Sequence, residues 1–267
     1  ALLRAHAQRF GAVDPVFVQA ADALGAYVGA SAARALAESA NRSVPVLQTH
    51  DRYGQRRDEV VFHPAYHALM QAACAAGLKD WCWTEPRASA ALERAVLFGL
   101  WNGLEQGTAC PITMSSAAVA MMALEPGLRA HWLPRLCARA YVPDLAPAER
   151  KPALTIGMAL TEKQGGSDLR AVATRAMADA AGGAWPVRLI GHKWFCSAPM
   201  SDGFFSLARE EAGVSCFFVP RMLDDGTRNA LRFVRLKDKC GNRSNASAEL
   251  EFEGAAARRI GLPGRGI

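Results

Sequence analysis

The sequence MALTEKQGGSD, from Met158 to Asp168, marks the point at which the character of the chain changes. Helix-like sequence leads up to it, and strand-like sequence follows it. An apolar run ends at Met158, and two adjacent charges, a Gly165-Gly166 pair and Ser167 come next. Paired glycines before Ser-Asp allow a sharp turn that can direct several backbone N–H groups at an anion. Because the spacing fits neither a P-loop nor a Rossmann fingerprint, the stretch by itself indicates only a polar turn.

The sequence before this stretch has helical periodicity. Apolar side chains in residues 16–37 recur at three- and four-residue steps, and this segment is rich in alanine, which favours helix. We predict helices over residues 16–37, from His63-Pro64 to Gly77, over residues 89–105, after Pro111 and after Gly127. Pro134 must kink or end the last of these. The polar residues 41–59 are predicted to form a long loop.

The sequence after the stretch changes to a period of two, with short segments bounded by glycine, aspartate, asparagine and proline. These segments are residues 186–191, 204–209, 215–219, 231–236 and 248–253. The last alternates apolar residues with glutamate, so we expect it to be half exposed. Three prolines in residues 141–152 indicate a linker. The predicted fold is α+β, with an N-terminal α-helical domain (1–150) and an antiparallel β-barrel or sheet domain (151–267).

Composition indicates a globular protein outside the membrane. Half of the 267 residues are apolar and 21% are charged, and no apolar run approaches the roughly 20 residues that span a bilayer. The first residues lack a compact apolar core and a cleavage site, so we expect no signal peptide. The seven cysteines contain no C-x-x-C pair and lie among apolar neighbours. We therefore expect buried free thiols in a reducing compartment, the cytoplasm.

The net charge of +6 is concentrated late in the chain. Residues 221–243 contain seven bases and three acids. Such a face can meet an anionic cofactor, a CoA-type nucleotide or nucleic acid, although a solvated surface is the commoner explanation. The dense basic patch with interleaved aromatics that is typical of nucleic-acid readers is missing.

Two further patterns bear on chemistry. His63 and His67 are four residues apart, but no Glu stands between them as in H-E-x-x-H and no third ligand is evident. The sequence also lacks a G-x-S-x-G elbow and a recognisable cysteine nucleophile, so we predict neither a metal site nor a catalytic triad. Residues 191–197 (GHKWFCS) could place a flat ring and a hydroxyl against a flat cofactor, but alone they fit an ordinary core strand better, because aromatic residues are common in strands.

Taken together, these motifs resemble those of the acyl-CoA dehydrogenase family. MALTEKQGGSD is similar to the family's M-x-x-T-E-x-x-x-G-S-D, and GHKWFCS, about 30 residues later, is similar to its G-x-K-x-W-I-T, with Phe195 for Trp and Ser197 for Thr. Residues 127–136 and 238–261 resemble the family's G…L-P-x-L and K-x-G-x-R-x-S…E-x-x-F…L-G. The substitutions at Phe195 and Ser197, and residues 51–70 and 110–114, are closer to the AidB-like branch, the flavoproteins tied to the DNA alkylation response.

The resemblance implies the family's architecture and its cofactor. That architecture is a helical domain, a middle β-domain and a C-terminal helical domain, assembled as a homotetramer, and we expect the first two in this chain. The implied cofactor is FAD. Its contacts would be Met158, Leu160 and Thr161 along the flavin ring, Gly166 and Ser167 towards the pyrophosphate, and Phe195, Cys196 and Ser197 at the other edge of the ring. The family's catalytic carboxylate lies in the third domain, so no catalytic residue is assigned.

Three functional hypotheses follow from the resemblance. The first is an FAD-dependent oxidoreductase that transfers hydride from the β-carbon of an acyl-CoA to the flavin. The second is a DNA-associated flavoprotein that protects against alkylation with little turnover, with DNA bound through the third domain. The third is a flavin-free scaffold that has kept the fold.

Overall fold

The computed structural model describes residues 2–267. The helices are α1 (Leu2–Arg9), α2 (Pro15–Gly29), α3 (Ser31–Arg42), α4 (Pro64–Ala75), α5 (Trp81–Thr84), α6 (Ala90–Asn102), α7 (Ala109–Ala123) and α8 (Pro126–Leu136). The strands are β1 (Val46–His50), β2 (Arg56–Val61), β3 (Ile156–Thr161), β4 (Arg175–Ala178), β5 (Val187–Ser197), β6 (Gly203–Glu210), β7 (Gly213–Pro220), β8 (Leu231–Leu236) and β9 (Ser247–Ile260).

Helices dominate the first half of the chain, as predicted, and their apolar faces form one core. The largest fully buried side chains of that core are Tyr66, Leu69, Met70, Leu78 and Trp101. The prediction of a helix beginning at His63-Pro64 is confirmed: His63 caps α4, and its ring nitrogen accepts a hydrogen bond from the Ala65 amide. Gly77 follows α4 with φ +73°, a conformation that glycine adopts at no steric cost.

One prediction for the helical half is wrong in detail. The single helix over residues 16–37 is two helices, because Ala30 adopts an extended conformation (φ −70°, ψ 141°) and the axes of α2 and α3 differ by 64°. Alanine carries no signal for such a break. α8 ends at Leu136, two residues after Pro134, and a kink at this proline stays a prediction.

The long loop predicted over residues 41–59 is largely a β-hairpin. β1 pairs antiparallel with β2, with Val46 opposite Val61. The turn between the strands is held by the Asp51 carboxylate, which accepts hydrogen bonds from the Tyr53 and Gln55 amides. The sequence did not reveal β2 because it begins with four charged residues, whereas strand prediction relies on apolar alternation.

The second half is a barrel, so the predicted fold class is confirmed. β3, β6, β7, β9 and β5 each pair with the next, and β5 pairs with β3 to close the ring. β4 bridges β5 and β6, and β8 extends the sheet beyond β9. Most pairs are antiparallel, but β3 runs parallel to β6. Closure leaves few exposed edges and encloses a core that includes Phe204, Phe217 and Phe252.

Two expectations about the barrel need correction. The apolar run that ends at Met158 is strand β3 and not helix, a distinction that short apolar runs do not encode. The prediction that residues 248–253 are half exposed is wrong for Glu249, which is 4% exposed. Arg235 and Lys237 each bond its carboxylate at 2.6 Å, and this pairing makes its burial tolerable.

The helices and the barrel share an apolar core. Trp132 of α8 packs edge-on against Phe218 of β7, with ring centroids 4.6 Å apart, and Leu128 and Leu136 lie in the same cluster. The Ser115 hydroxyl of α7 accepts a hydrogen bond from the Ile156 amide at the start of β3. These contacts join residues on both sides of the domain boundary predicted at residue 150. That boundary stays a prediction.

Within residues 2–267, no single helix has the length and apolar character to cross a membrane; α2 and α3 meet that test only as a bent pair.

Candidate functional site

The two stretches singled out in the sequence are neighbouring strands. β3 and β5 pair antiparallel, with Met158 opposite Ser197 and Ala159 opposite Cys196. The register shifts by one residue after Ala159, so that Thr161 lies opposite Phe195. Sequence reasoning could not show this pairing, because about 30 residues separate the two strands.

One face of this strand pair forms a partly exposed wall. Directly opposed residues in a sheet point to the same side, so Met158 and Ser197 share a face. Because side chains alternate along a strand, Phe195 lies on that face too, with Thr161 opposite it. All four are partly exposed. Leu160, at the register shift, packs partly against the apolar cluster beneath α7 and α8.

Cys196 differs from the other candidate contacts. Its side chain is 0% exposed and lies in the barrel core beside Ala159. Burial raises the pKa of the Cys196 thiol, so the sulfur stays protonated. Any contact that Cys196 makes at the wall is therefore restricted to its peptide groups.

The polar turn after β3 places Gly166 and Ser167 at the end of the wall. Backbone hydrogen bonds between Glu162 and Gly165 close a two-residue hairpin turn, and Ser167 is exposed beyond it. Neither Gly165 nor Gly166 has a positive φ. Gly166 is required by close approach instead: a Cβ there would lie 2.9 Å from the Thr161 methyl group, and one at Gly165 would lie 2.8 Å from the Asp168 carbonyl oxygen.

Glu162 fixes the turn to the barrel through a buried ion pair. Its carboxylate accepts a hydrogen bond from the Lys193 ammonium at 2.6 Å, and others from the amides of Ala173 and Thr174. The Glu162 and Lys193 side chains are 3% and 0% exposed. Burial favours a raised pKa for Glu162, but the bonds from Lys193 and Thr174 outweigh it and lower the pKa to about 2. The carboxylate is thus permanently charged and structural.

The structure adds two groups that sequence reasoning did not identify. Lys237, just after β8, places its Nζ 3.1 Å from the Trp194 ring centroid and 5.2 Å from that of Phe195, which brings a positive charge to the wall. Asn245 is 1% exposed, and its amide oxygen and nitrogen have no hydrogen-bond partner among the described residues. It precedes Ala246, whose carbonyl accepts a hydrogen bond from Ala198 beside the wall. Both residues lie in stretches already interpreted from the sequence, but no contact is predicted there for either side chain.

The remaining candidates have ordinary structural roles. The ring of His67 lies 3.0 Å from the Tyr141 hydroxyl, and His63 caps α4, so both histidines are engaged. Among residues 2–267 no cluster of three or more histidine, cysteine or acidic side chains could hold a metal. All seven cysteines are free, but the expectation that they are buried is wrong for Cys240, which is exposed.

The residues at the wall suit a flat, partly polar cofactor. Phe195 and Met158 offer apolar surface, and Thr161 and Ser197 offer hydroxyls. Lys237 offers positive charge, because it shares the single Glu249 carboxylate with Arg235. The turn after β3 continues the wall towards Ser167. At Gly166 in this turn there is no room for a side chain beside Thr161. An aromatic ring system with a polar edge and an anionic tail, such as FAD, matches this set of groups.

Comparisons with known proteins show the family to which the chain belongs. Residues 1–143 match the family model of the adaptive response protein AidB N-terminal domain, and residues 157–255 match that of the acyl-CoA dehydrogenase middle domain. The chain is 45% identical to AidB of Escherichia coli (strain K12) over 246 residues, which are 91% of this chain and 45% of that protein.

Two solved structures are also similar. Caenorhabditis elegans ACDH-11, in complex with C11-CoA, has a TM-score of 0.77 at 28% identity over 88% of this chain and 41% of its own. Acyl-CoA dehydrogenase from Bacillus anthracis, complexed with FAD, has a TM-score of 0.68 at 16% identity over 95% of this chain and 38% of its own, which shows a shared fold. The chain thus spans less than half the length of these relatives.

The fold and the paired motif strands define a protein of the acyl-CoA dehydrogenase fold class. The chain belongs to the acyl-CoA dehydrogenase family, and its N-terminal part is of the AidB type.

Proposed function

We propose that the wall formed by β3 and β5 binds FAD, and that the protein is an AidB-like, FAD-dependent oxidoreductase acting on an acyl-CoA. The observation that supports this most directly is the pairing of Met158 with Ser197 and of Thr161 with Phe195 on one half-exposed face. FAD, when bound, accepts the hydride that leaves the substrate β-carbon. By resemblance to the family, we further propose a cytoplasmic homotetramer.

Each residue at the wall has a physical task in this proposal. Phe195 and Met158 provide a flat apolar surface and exclude water from one side of the ring system. The hydroxyls of Thr161 and Ser197 hydrogen-bond its polar edge, where negative charge accumulates on reduction. Leu160 supports the strand from behind, and Cys196 contributes its backbone. Gly166 and Ser167 present backbone N–H and hydroxyl groups to the pyrophosphate.

Flavin binding is tested by titrating the purified protein with FAD and following the quenching of flavin fluorescence. Replacing Thr161 or Ser197 with alanine should weaken binding about fivefold to tenfold, because each change removes one hydrogen bond to the cofactor. Thr49→Ala, in the exposed β1 strand, is the matched control and should leave affinity unchanged. Equal affinity in all four proteins would refute this use of the wall, and absence of binding to the wild type would favour the flavin-free scaffold.

A second candidate function rests on the basic residues. Residues 221–243 carry seven bases against three acids, and the chain resembles AidB. In this alternative the protein is a DNA-associated flavoprotein that protects against alkylation with little turnover, and the parts of longer relatives that this chain does not span supply most of the DNA contact. Mobility shifts with duplex DNA at increasing salt test it, since phosphate contacts release counterions and weaken steeply with salt. No shift at any salt, either by this chain or by a longer protein that also contains the parts this chain does not span, would remove this alternative.

A further inference from the structure

A groove lined by arginines lies away from the proposed flavin wall. It has a volume of about 280 Å³ and lies between the β1–β2 hairpin and the chain that leads into β8. Its arginines come from distant parts of the sequence: Arg56, Arg57, Arg221, Arg228 and Arg232. It lies at the start of β8, whereas Lys237 of the flavin wall follows the end of that strand.

The arginines outnumber the acids that neutralise them. Asp58 pairs with Arg56, Glu59 pairs with both Arg57 and Arg228, and Glu253 pairs with Arg232. Five guanidinium groups therefore share three salt-bridged carboxylates at this groove, a net excess of two positive charges, and Arg221 is the one of the five without a salt bridge. Guanidinium groups arranged in this way are suited to bidentate binding of phosphate or carboxylate.

Arg221 is the least compensated of the five. Its side chain is 7% exposed, and its guanidinium donates to the carbonyl oxygens of Pro199 and Asp58 rather than to a carboxylate. It also lies over the Phe233 ring, 5.0 Å from the centroid. Burial, with repulsion from Arg228, lowers the pKa of Arg221 to about 10, so the group remains charged at neutral pH. Asp202 and Glu59 attract this charge from a distance, but no carboxylate bonds the guanidinium, and an anion beside it would lower the cost of its burial further.

The groove is also rigid and locally strained. Asp58 has a φ of 48°, which is unusual for a residue with a side chain, and its Oδ1 is buried without a partner among the described residues. The Asn229 amide donates to the carbonyls of Pro220 and Ala256, which fixes the loop before β8. A strained backbone conformation persists only where the surrounding contacts hold it in place, and such conformations are common at ligand-binding positions.

We propose that this groove binds a small molecule that carries a phosphate monoester. The net excess of two positive charges matches the charge of about −2 that a phosphate monoester carries above its second pKa near 6. The cavity volume accommodates the phosphate and a small attached group, and the unpartnered Asp58 oxygen can accept a hydrogen bond from that group. A solvated, merely basic surface would not require a buried Arg221.

The test measures binding of O-phosphoserine to the purified protein by calorimetry at constant ionic strength. Affinity should rise about fourfold from pH 5.5 to pH 7.5, because the ligand gains its second charge over this range. The groove has no histidine among its described lining residues, so its own charge changes little over that range. Sulfate, which is doubly charged at both pH values, should show no such rise, and neither should duplex DNA, whose diesters carry one charge throughout.

Two variants, one that removes a positive charge from the groove and one that removes a negative charge, locate the site. Arg228→Gln should weaken O-phosphoserine binding by about tenfold or more, since a charge-assisted hydrogen bond is lost. Glu253→Gln should strengthen it about fivefold by removing a competing negative charge. The control pair Arg42→Gln and Glu38→Gln, from an exposed ion pair on α3, should change nothing. All four variants should keep the wild-type affinity for FAD.

Two outcomes would overturn the proposal. One is no O-phosphoserine binding by a folded protein at millimolar concentration, with or without FAD. The other is binding that is equal in Arg228→Gln, Glu253→Gln and the controls. Binding of DNA alone, without pH dependence, would also reject a small phosphate ligand and would assign the arginines to nucleic acid.

Discussion

At the scale of single residues, Glu162 carries the clearest energetic role. It joins the turn after β3 to Lys193 of β5 from within the barrel. Glu162→Gln should lower the free energy of unfolding by about 3–5 kcal/mol, because it leaves the Lys193 ammonium buried without its counter-charge. Urea unfolding measures this loss. Asp168→Asn, which breaks the exposed pair with Arg170, is the control and should stay within about 0.5 kcal/mol.

Glu162 also makes the free energy of unfolding depend on pH. Its pKa is lowered in the folded protein from 4.5 to about 2, so its stabilising contribution is complete above pH 4.5 and declines as the pH falls towards 2. Unfolding of the wild type and of Glu162→Gln at pH 6, 4 and 3 should show a difference in stability that shrinks with acidity. A constant difference would contradict the assignment.

The cysteines provide a test of burial at the wall. Cys240 is exposed, whereas the Cys196 thiol lies in the barrel core with a raised pKa. Under native conditions iodoacetamide should modify Cys240 first, and Cys196 should react only on unfolding, because alkylation needs an accessible thiolate. Peptide mass spectrometry resolves the order, and Cys240→Ser should abolish the fast phase. Rapid labelling of Cys196 would show that its side chain faces the wall.

At the scale of elements, Gly157 determines how closely β3 approaches its neighbours. A Cβ at Gly157 would lie 2.6 Å from the Ser197 carbonyl oxygen and 2.8 Å from the Phe204 ring. Gly157→Ala should therefore cost about 1–3 kcal/mol of stability and weaken FAD binding by displacing β3 from β5. Gly99→Ala in α6 is the matched control: nothing lies within 4 Å of its Cβ, so the change should stabilise the helix by about 0.5–1 kcal/mol. Equal effects would contradict the register of the wall.

At the scale of the whole molecule, the core shared by helices and barrel should make unfolding cooperative. Trp132 is 4% exposed and packs against Phe218 across the boundary between the two parts. Trp132→Ala should cost about 3–5 kcal/mol, and helix and barrel signals should still be lost together. Amide hydrogen exchange, read from peptides of the helices and from peptides of the barrel, follows the two parts separately. Leu124→Ala, at a 62% exposed position after α7, should be nearly neutral, and separate transitions in the wild type would show that the two parts fold independently.

The sequence by itself determined the order of the architecture and the family. Periodicity separated a helical half from a strand-rich half, because alternation and helical spacing are local properties of the chain. Met158–Asp168 and residues 191–197 together carried the resemblance, since motif letters and their spacing are read directly from the sequence. The same local information failed at the charged strand β2 and at the break after Gly29, where neighbouring structure overrides propensity.

Only the tertiary structure decided how the site is built. It paired β3 with β5 and assigned Phe195 and Ser197 to the exposed face and Cys196 to the core. It also brought Arg56 and Arg57 together with Arg221 and Arg228 from more than 160 residues away, as in the bond from Arg221 to the Asp58 carbonyl. Contacts of this kind follow from barrel closure and the packing of the hairpin on β8. Because both are long-range, no window of the sequence contains them.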